Sequence, residues 1–188
     1  MSKSSLDTRQ MVLCALFTAL IAVGARIKVP LPVVPFTLQF LFTTLAGLLL
    51  GGRLGALSVA VYLVLGIAGA PVFTEGGGPA YVLKPSFGYL IGFMVGAWLT
   101  GKIASSAYPL GFRRALAASA SGLAAVYLCG MTYCWLISNF VLAQPLSFET
   151  LFICCFLLAV PGDVLLCFAG ALLAARLSER SPLRYARS

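Results

Sequence analysis

Apolar residues run through this chain in long blocks, separated by short polar interruptions or by stretches rich in glycine and proline. The first block covers residues 11–27 and follows Lys3 and Arg9. Blocks at 36–50 and 54–68 come next, joined by a tight Gly51-Gly52-Arg53 turn. A fourth spans 86–103, a fifth runs from Ala115 to about Val141, and the last ends near Leu177. A membrane-crossing helix needs roughly 20 mostly apolar residues. The pattern therefore predicts an all-α membrane protein, a bundle of six transmembrane helices forming a single domain over residues 1–188. In isolation the first block has the look of a secretory signal peptide, but five further blocks favour an uncleaved span. The second and third blocks are shorter than a straight span requires, so the bundle is expected to thin or to carry re-entrant loops at one face.

The start of the last span is ambiguous. Residues 151–160 are apolar, Pro161 and Gly162 interrupt, and the pattern resumes at Val164. Proline fits best in the first turn of a helix, where its missing N–H costs nothing. The span is therefore placed from Pro161, with a separate short helix over 147–160; one kinked continuous helix is the alternative. Residues 70–85 contain Pro71, Gly76, Gly77, Gly78, Pro79 and Pro85 and cannot form a continuous helix. In the fifth span Ala117, Ser121, Ala124 and Ala125 are expected to allow close helix packing.

Composition narrows the chemistry. Hydrophobic residues make up 61% of the 188 positions and charged ones 10%, against about 25% charged in soluble domains. There is no histidine, which removes the commonest general base and metal ligand and argues against an intramembrane enzyme. The six cysteines, Cys14, Cys129, Cys134, Cys154, Cys155 and Cys167, lie in or beside apolar runs without zinc-like spacing. They are read as buried free thiols.

The net charge of +8 is distributed unevenly. With six spans, Lys3, Arg9, Arg53, Lys102, Arg113, Arg114, Arg176, Arg180, Arg184 and Arg187 fall on one side; Arg26, Lys28 and Lys84 fall on the other. The positive-inside rule then places both termini in the cytoplasm, and the asymmetry accounts for the basic charge without nucleic acid. On the outer side lie the segments 29–35, 70–85 and 143–161. Irregular backbone at membrane depth is tolerated where it lines a cavity, so these three are expected to build one outward-facing pocket.

Candidate contacts follow from that placement. Asp163 stands at a helix start, where it either meets a ligand or stabilises the helix N-terminus. Gln39 is placed one turn into the second span, where its amide could serve a ligand or bridge two helices. Phe36, Phe73, Tyr81 and Tyr89 are candidates for an apolar wall. Glu75 and Lys84 flank the glycine-rich loop, while Arg26 and Lys28 could attract an anion or snorkel to the outer surface. No GK[ST] follows Gly76 to Gly78, so a phosphate loop is not expected there.

Taken together, Val34-Pro35-Phe36-Thr37-Leu38-Gln39, Gly69-Ala70-Pro71-Val72-Phe73, Pro85-Ser86-Phe87-Gly88-Tyr89-Leu90-Ile91-Gly92-Phe93 and Pro161-Gly162-Asp163 resemble the BioY family in order and spacing. That family comprises the biotin-binding S components of energy-coupling factor transporters. The resemblance implies a six-helix bundle in the bacterial cytoplasmic membrane that binds biotin as substrate, without a cofactor. It also implies a transmembrane coupling subunit and two cytoplasmic ATPase subunits as partners. The chain departs from the family pattern at Leu166, where a lysine is common, at Ser86-Phe87, where Thr-Gly is usual, and at Glu75, where asparagine is common. Lys84 or Arg26 then becomes the candidate partner for the ligand carboxylate. Ala15, Thr18, Ala19 and Ala22 recur at helical spacing as a small-residue stripe that serves either the bundle or a partner. The Ala15 and Ala19 pair resembles the AxxxA signature with which this transporter class docks its coupling subunit. A stand-alone homo-oligomeric carrier is the alternative function.

Overall fold

The computed structural model describes residues 7–106, 110–142 and 146–180. Lys3, Arg184, Arg187 and the first residues of the 143–161 segment lie outside the described residues. In chain order the elements are α1 (Thr8–Arg26), β1 (Lys28–Val29), β2 (Phe36–Thr37), α2 (Gln39–Leu50), α3 (Gly52–Ile67), a 3-10 turn (Pro79–Leu83), α4 (Phe87–Ala104), α5 (Phe112–Leu136), α6 (Phe148–Phe152) and α7 (Val160–Arg180). Two π-helical turns extend α5 over Ile137–Val141 and α6 over Ile153–Leu157.

Among the described residues four helical stretches are long and apolar enough to cross a bilayer: Thr8–Arg26, Phe87–Ala104, Phe112–Val141 and Phe148–Ser178. The shorter α2 and α3 hold 12 and 16 residues, about 18 and 24 Å of helix at the usual rise, against about 30 Å of hydrocarbon. Gly51, at φ 85°, makes the reversal between them, a left-handed conformation that glycine adopts without strain. A short helix is tolerable because α2 is sheathed by protein. It packs on α1, α3, α4 and α7, and every α2 residue except Leu41 and Phe42 is buried.

Three expectations are corrected. The run 36–50 does not begin as a helix. Phe36 and Thr37 pair antiparallel with Val29 and Lys28, and Leu38 N–H donates to Ile27 O at 3.2 Å. Gln39 is consequently the first residue of α2, not a residue one turn inside it. On α5, Ala117 and Ala124 are exposed. Close packing instead uses Gly122 and Val126, which meet Gly92 and Gly96 of α4; α5 carries small residues on more than one face, so composition could not choose between them. The stripe on α1 is likewise split. Thr18 is buried and donates to Ser58 O at 2.9 Å, while Ala15 and Ala19 are exposed.

Near Pro161, a short helix does precede the last span. Its π turn ends at Leu157, Leu158 and Ala159 form a turn, and α7 starts at Val160.

The core divides into two clusters. One is aliphatic, around Leu45, Leu48, Leu50, Leu54, Leu110, Ala171 and Ala174. The other is aromatic, around Tyr62, Phe73, Tyr81, Phe87, Tyr89 and Tyr127. Lipid is as apolar as these side chains, so close packing rather than water exclusion holds the helices together. At the aliphatic end Gly52 lies against Gly101, and Leu110 N–H donates to Ser178 Oγ at 3.3 Å. The α2–α3 turn, the end of α4, the start of α5 and the end of α7 thus share one end of the bundle. The aromatic cluster surrounds a cavity at the other.

Candidate functional site

The three segments expected to build one pocket do meet. Val34 and Pro35 from the hairpin loop, Thr74 and Tyr81 from the 70–85 segment, and Cys155 and Ala159 from the stretch before α7 line one cavity. Phe36, Thr37, Gln39, Phe40, Ser86, Tyr89, Leu90, Phe93, Val126, Tyr127 and Asp163 complete its wall. The cleft, with its mouth, encloses about 610 Å³. It is a narrow slot between packed side chains.

Of the nine candidate contacts, Phe36, Gln39, Tyr81, Tyr89 and Asp163 line the slot. Among the described residues Asp163 is its one carboxylate, and no Lys or Arg lines it. The Asp163 side chain does not fold back onto its own helix. It accepts from Tyr127 Oη at 2.5 Å, which ties α5 to α7. Gly162 beside it lets the Phe36 ring lie flat on the helix start: a Cβ there would stand 2.8 Å from that ring. Gln39 bridges two helices while also lining the slot. Its Nε2 donates to Tyr62 Oη at 2.8 Å, bridging α2 and α3, and its Oε1 accepts from Thr37 Oγ1 at 3.3 Å and Thr74 Oγ1 at 3.4 Å. Tyr62 donates onward to Val72 O at 3.1 Å, so one polar network fixes the 70–85 segment to the bundle. Tyr81 lies outside the spanning helices; burial pushes its phenol above the usual value, which keeps the hydroxyl neutral.

The structure does not bring the other four candidates into the slot. Phe73 is wholly buried behind the wall, packed edge-on against Tyr62 at 5.3 Å and against Tyr81 at 4.6 Å. Glu75 and Lys84 pair with each other at 2.6 Å on the surface, and Lys84 Nζ also sits 5.0 Å above the Tyr81 ring. Such an exposed pair contributes about 0–1 kcal/mol. Arg26 donates to Pro71 O, and Lys28 Nζ donates to Thr74 O at 3.2 Å. These two exposed cations also act as tethers that hold the 70–85 segment over the hairpin. Sequence reasoning missed Tyr127, Tyr62 and Thr74. For Tyr127 a signal existed, since a phenol on the buried Leu123, Val126 and Gly130 face of α5 needs an acceptor.

The cavity stands at one end of a helical bundle whose architecture has a close counterpart. The crystal structure of the S component for biotin from an ECF-type ABC transporter superposes with a TM-score of 0.81, covering 98% of this chain and 100% of that one, at 25% identity. The description of the BioY family matches residues 1–182. The chain belongs to the BioY family. Within it, the probable biotin transporter BioY of Lysinibacillus sphaericus is 44% identical over 171 residues, covering 91% of this chain and 87% of that protein. The biotin transporter BioY of Rhizobium etli is 34% identical over 194 residues, covering 97% of this chain and all of that one. The probable biotin transporter BioY of Pyrococcus horikoshii is 36% identical over 173 residues, with 92% and 98% covered. Of the segments that suggested the BioY family, 34–39, 85–93 and 161–163 each contribute to the slot wall.

Proposed function

We propose that this BioY-family chain takes up biotin across the cytoplasmic membrane as the substrate-binding S component of an energy-coupling factor transporter. The observation that carries the reading is the slot itself, which among the described residues has aromatic and apolar walls and a single carboxylate. Biotin matches it chemically: its thiophane ring and chain suit the Phe36, Tyr89, Leu90 and Phe93 surfaces, and a ureido N–H suits Asp163. With no Lys or Arg among the described lining residues, and with the Thr37 and Thr74 protons given to Gln39, the Ser86 hydroxyl is the group offered to the ligand carboxylate. Native mass spectrometry of the detergent-purified protein is expected to show one bound biotin mass; a protein that binds no biotin in that experiment or by titration overturns the reading.

Energy comes from elsewhere in this proposal. The chain contains no GxxxxGK[ST] run, so ATP hydrolysis falls to two cytoplasmic ATPase subunits, joined through a transmembrane coupling subunit. Six crossings are assigned to α1, α2, α3, α4, α5 and the joined α6–α7, with both termini cytoplasmic. Support comes from the shared end of the bundle that carries Arg53, Lys102, Arg113 and Arg176, opposite the slot. In a cysteine-free background, a membrane-impermeant thiol reagent on intact cells is expected to label a cysteine at Ala80 but not at Ser106 or Ser188. Ala80 is the better reporter than neighbouring Gly77, where a Cβ would meet Ala70 O at 2.1 Å. The reverse labelling pattern would invert the topology.

A further inference from the structure

A phenol in the middle of an apolar helix face has one proton to place, and the low-dielectric surroundings make an unplaced one costly. Tyr127 places it on Asp163 Oδ2 at 2.5 Å, with both residues buried. The Tyr127 ring is held edge-on by Tyr89 at 6.2 Å on one side and Phe156 at 5.1 Å on the other. Tyr89 is itself anchored, its hydroxyl donating to Cys155 O at 3.2 Å. The phenol therefore cannot swing aside without disturbing α4 and the π turn before α7. Among the described residues Asp163 Oδ1 makes no hydrogen bond. It is not sealed in either, because no fully buried side-chain oxygen among the described residues goes unpaired. That oxygen opens on the slot.

We infer that Tyr127 is a positioning residue for ligand recognition: by occupying Asp163 Oδ2 it aims Oδ1 into the slot as the acceptor for one ligand N–H. The inference rests on the reading of the slot as a biotin site with Asp163 facing the ureido ring. A carboxylate in the first turn of α7 otherwise has free rotation about two bonds, and ordering those on binding weakens affinity. The short O–H···O⁻ bond removes that freedom in advance.

The test uses three variants of the full-length protein and biotin titration calorimetry. Tyr127→Phe keeps the ring contacts and removes the hydroxyl; about a tenfold loss of biotin affinity is expected. In Asp163→Asn, Tyr127 holds the amide oxygen and so turns the NH2 toward the ligand N–H, donor against donor. Flipping that amide would leave the phenol proton without an acceptor, so a loss of about a hundredfold is expected. Adding Tyr127→Phe to Asp163→Asn frees the amide to turn its oxygen to the ligand, and the double variant is expected to bind biotin more tightly than Asp163→Asn alone. A merely structural role predicts no such rescue, because the two residues share one hydrogen bond and its loss is already complete in either single variant. If the double variant binds biotin no more tightly than Asp163→Asn, Tyr127 only packs α5 on α7 and the inference is overturned. If Asp163→Asn binds biotin as well as the unmodified protein, the Asp163 contact and this inference both fail. If that variant weakens binding and Tyr127→Phe neither weakens it nor rescues Asp163→Asn, the contact stands and the inference alone is lost.

Discussion

Asp163→Ala is expected to weaken biotin binding by about ten- to a hundredfold while the protein still inserts and accumulates in the membrane. A carboxylate that accepts an N–H between apolar walls makes a charge-assisted bond worth about 1.5–3 kcal/mol, which sets that range. A competing role is stabilisation of the α7 start. In that role the side chain acts through the helix dipole, an effect of about 0.3–1 kcal/mol, because its observed hydrogen bond goes to Tyr127 and not to backbone N–H groups. Titration calorimetry with thermal melting separates the two. Loss of affinity well beyond the loss of stability supports the ligand contact, whereas a lower melting temperature with unchanged affinity would leave Asp163 as a structural residue. Some destabilisation accompanies either outcome, since the alanine variant strands the buried Tyr127 hydroxyl without an acceptor.

How far the sequence reveals this site depends on what kind of signal each residue leaves. Block length and hydropathy locate the long helices within a few residues, because a bilayer allows few alternatives to a continuous apolar helix. The irregular segment 70–85 is legible for the same reason, since its prolines and glycines forbid a helix. The hairpin at Lys28–Val29 and Phe36–Thr37 is not legible. Two residues per strand leave no alternation to read, and the cost of that miss is the wrong position for Gln39 in α2.

Contacts between distant segments are harder still. Phe73 and Tyr81 lie eight positions apart on the same loop, and each is an aromatic beside glycines or prolines. Only the fold turns Phe73 toward Tyr62 and away from the slot while Tyr81 lines it. Glu75 and Lys84 neutralise one another, and Arg26 and Lys28 spend their protons on loop carbonyls. Sequence position announces these charges without their partners. The carboxylate at Asp163 was visible because an ionisable residue at membrane depth is rare; the phenol that orients it, 36 positions earlier, was hidden among ordinary apolar neighbours.

The same separation of faces governs the last expectation, that Ala15→Trp and Ala19→Trp each abolish biotin uptake and co-purification of a coupling subunit while leaving biotin affinity within about twofold. On α1 the inward face is Cys14, Phe17, Thr18 and Ile21, all buried, with Thr18 bonded to Ser58 O of α3. Ala15 and Ala19 face away from those neighbours and are exposed, flanked by the exposed and bulkier Met11, Val12, Leu16 and Val23. Two small residues one turn apart among larger ones make a shallow groove that admits a second helix at close range. A tryptophan there fills the groove but reaches no part of the slot, whose wall takes nothing from α1. Pull-down of the tagged chain, transport assays in cells and titration of the purified variant read the three effects separately. Weakened biotin binding with the complex intact would place these alanines in the bundle's own packing. Intact uptake and assembly in both tryptophan variants would move the docking surface to another helix.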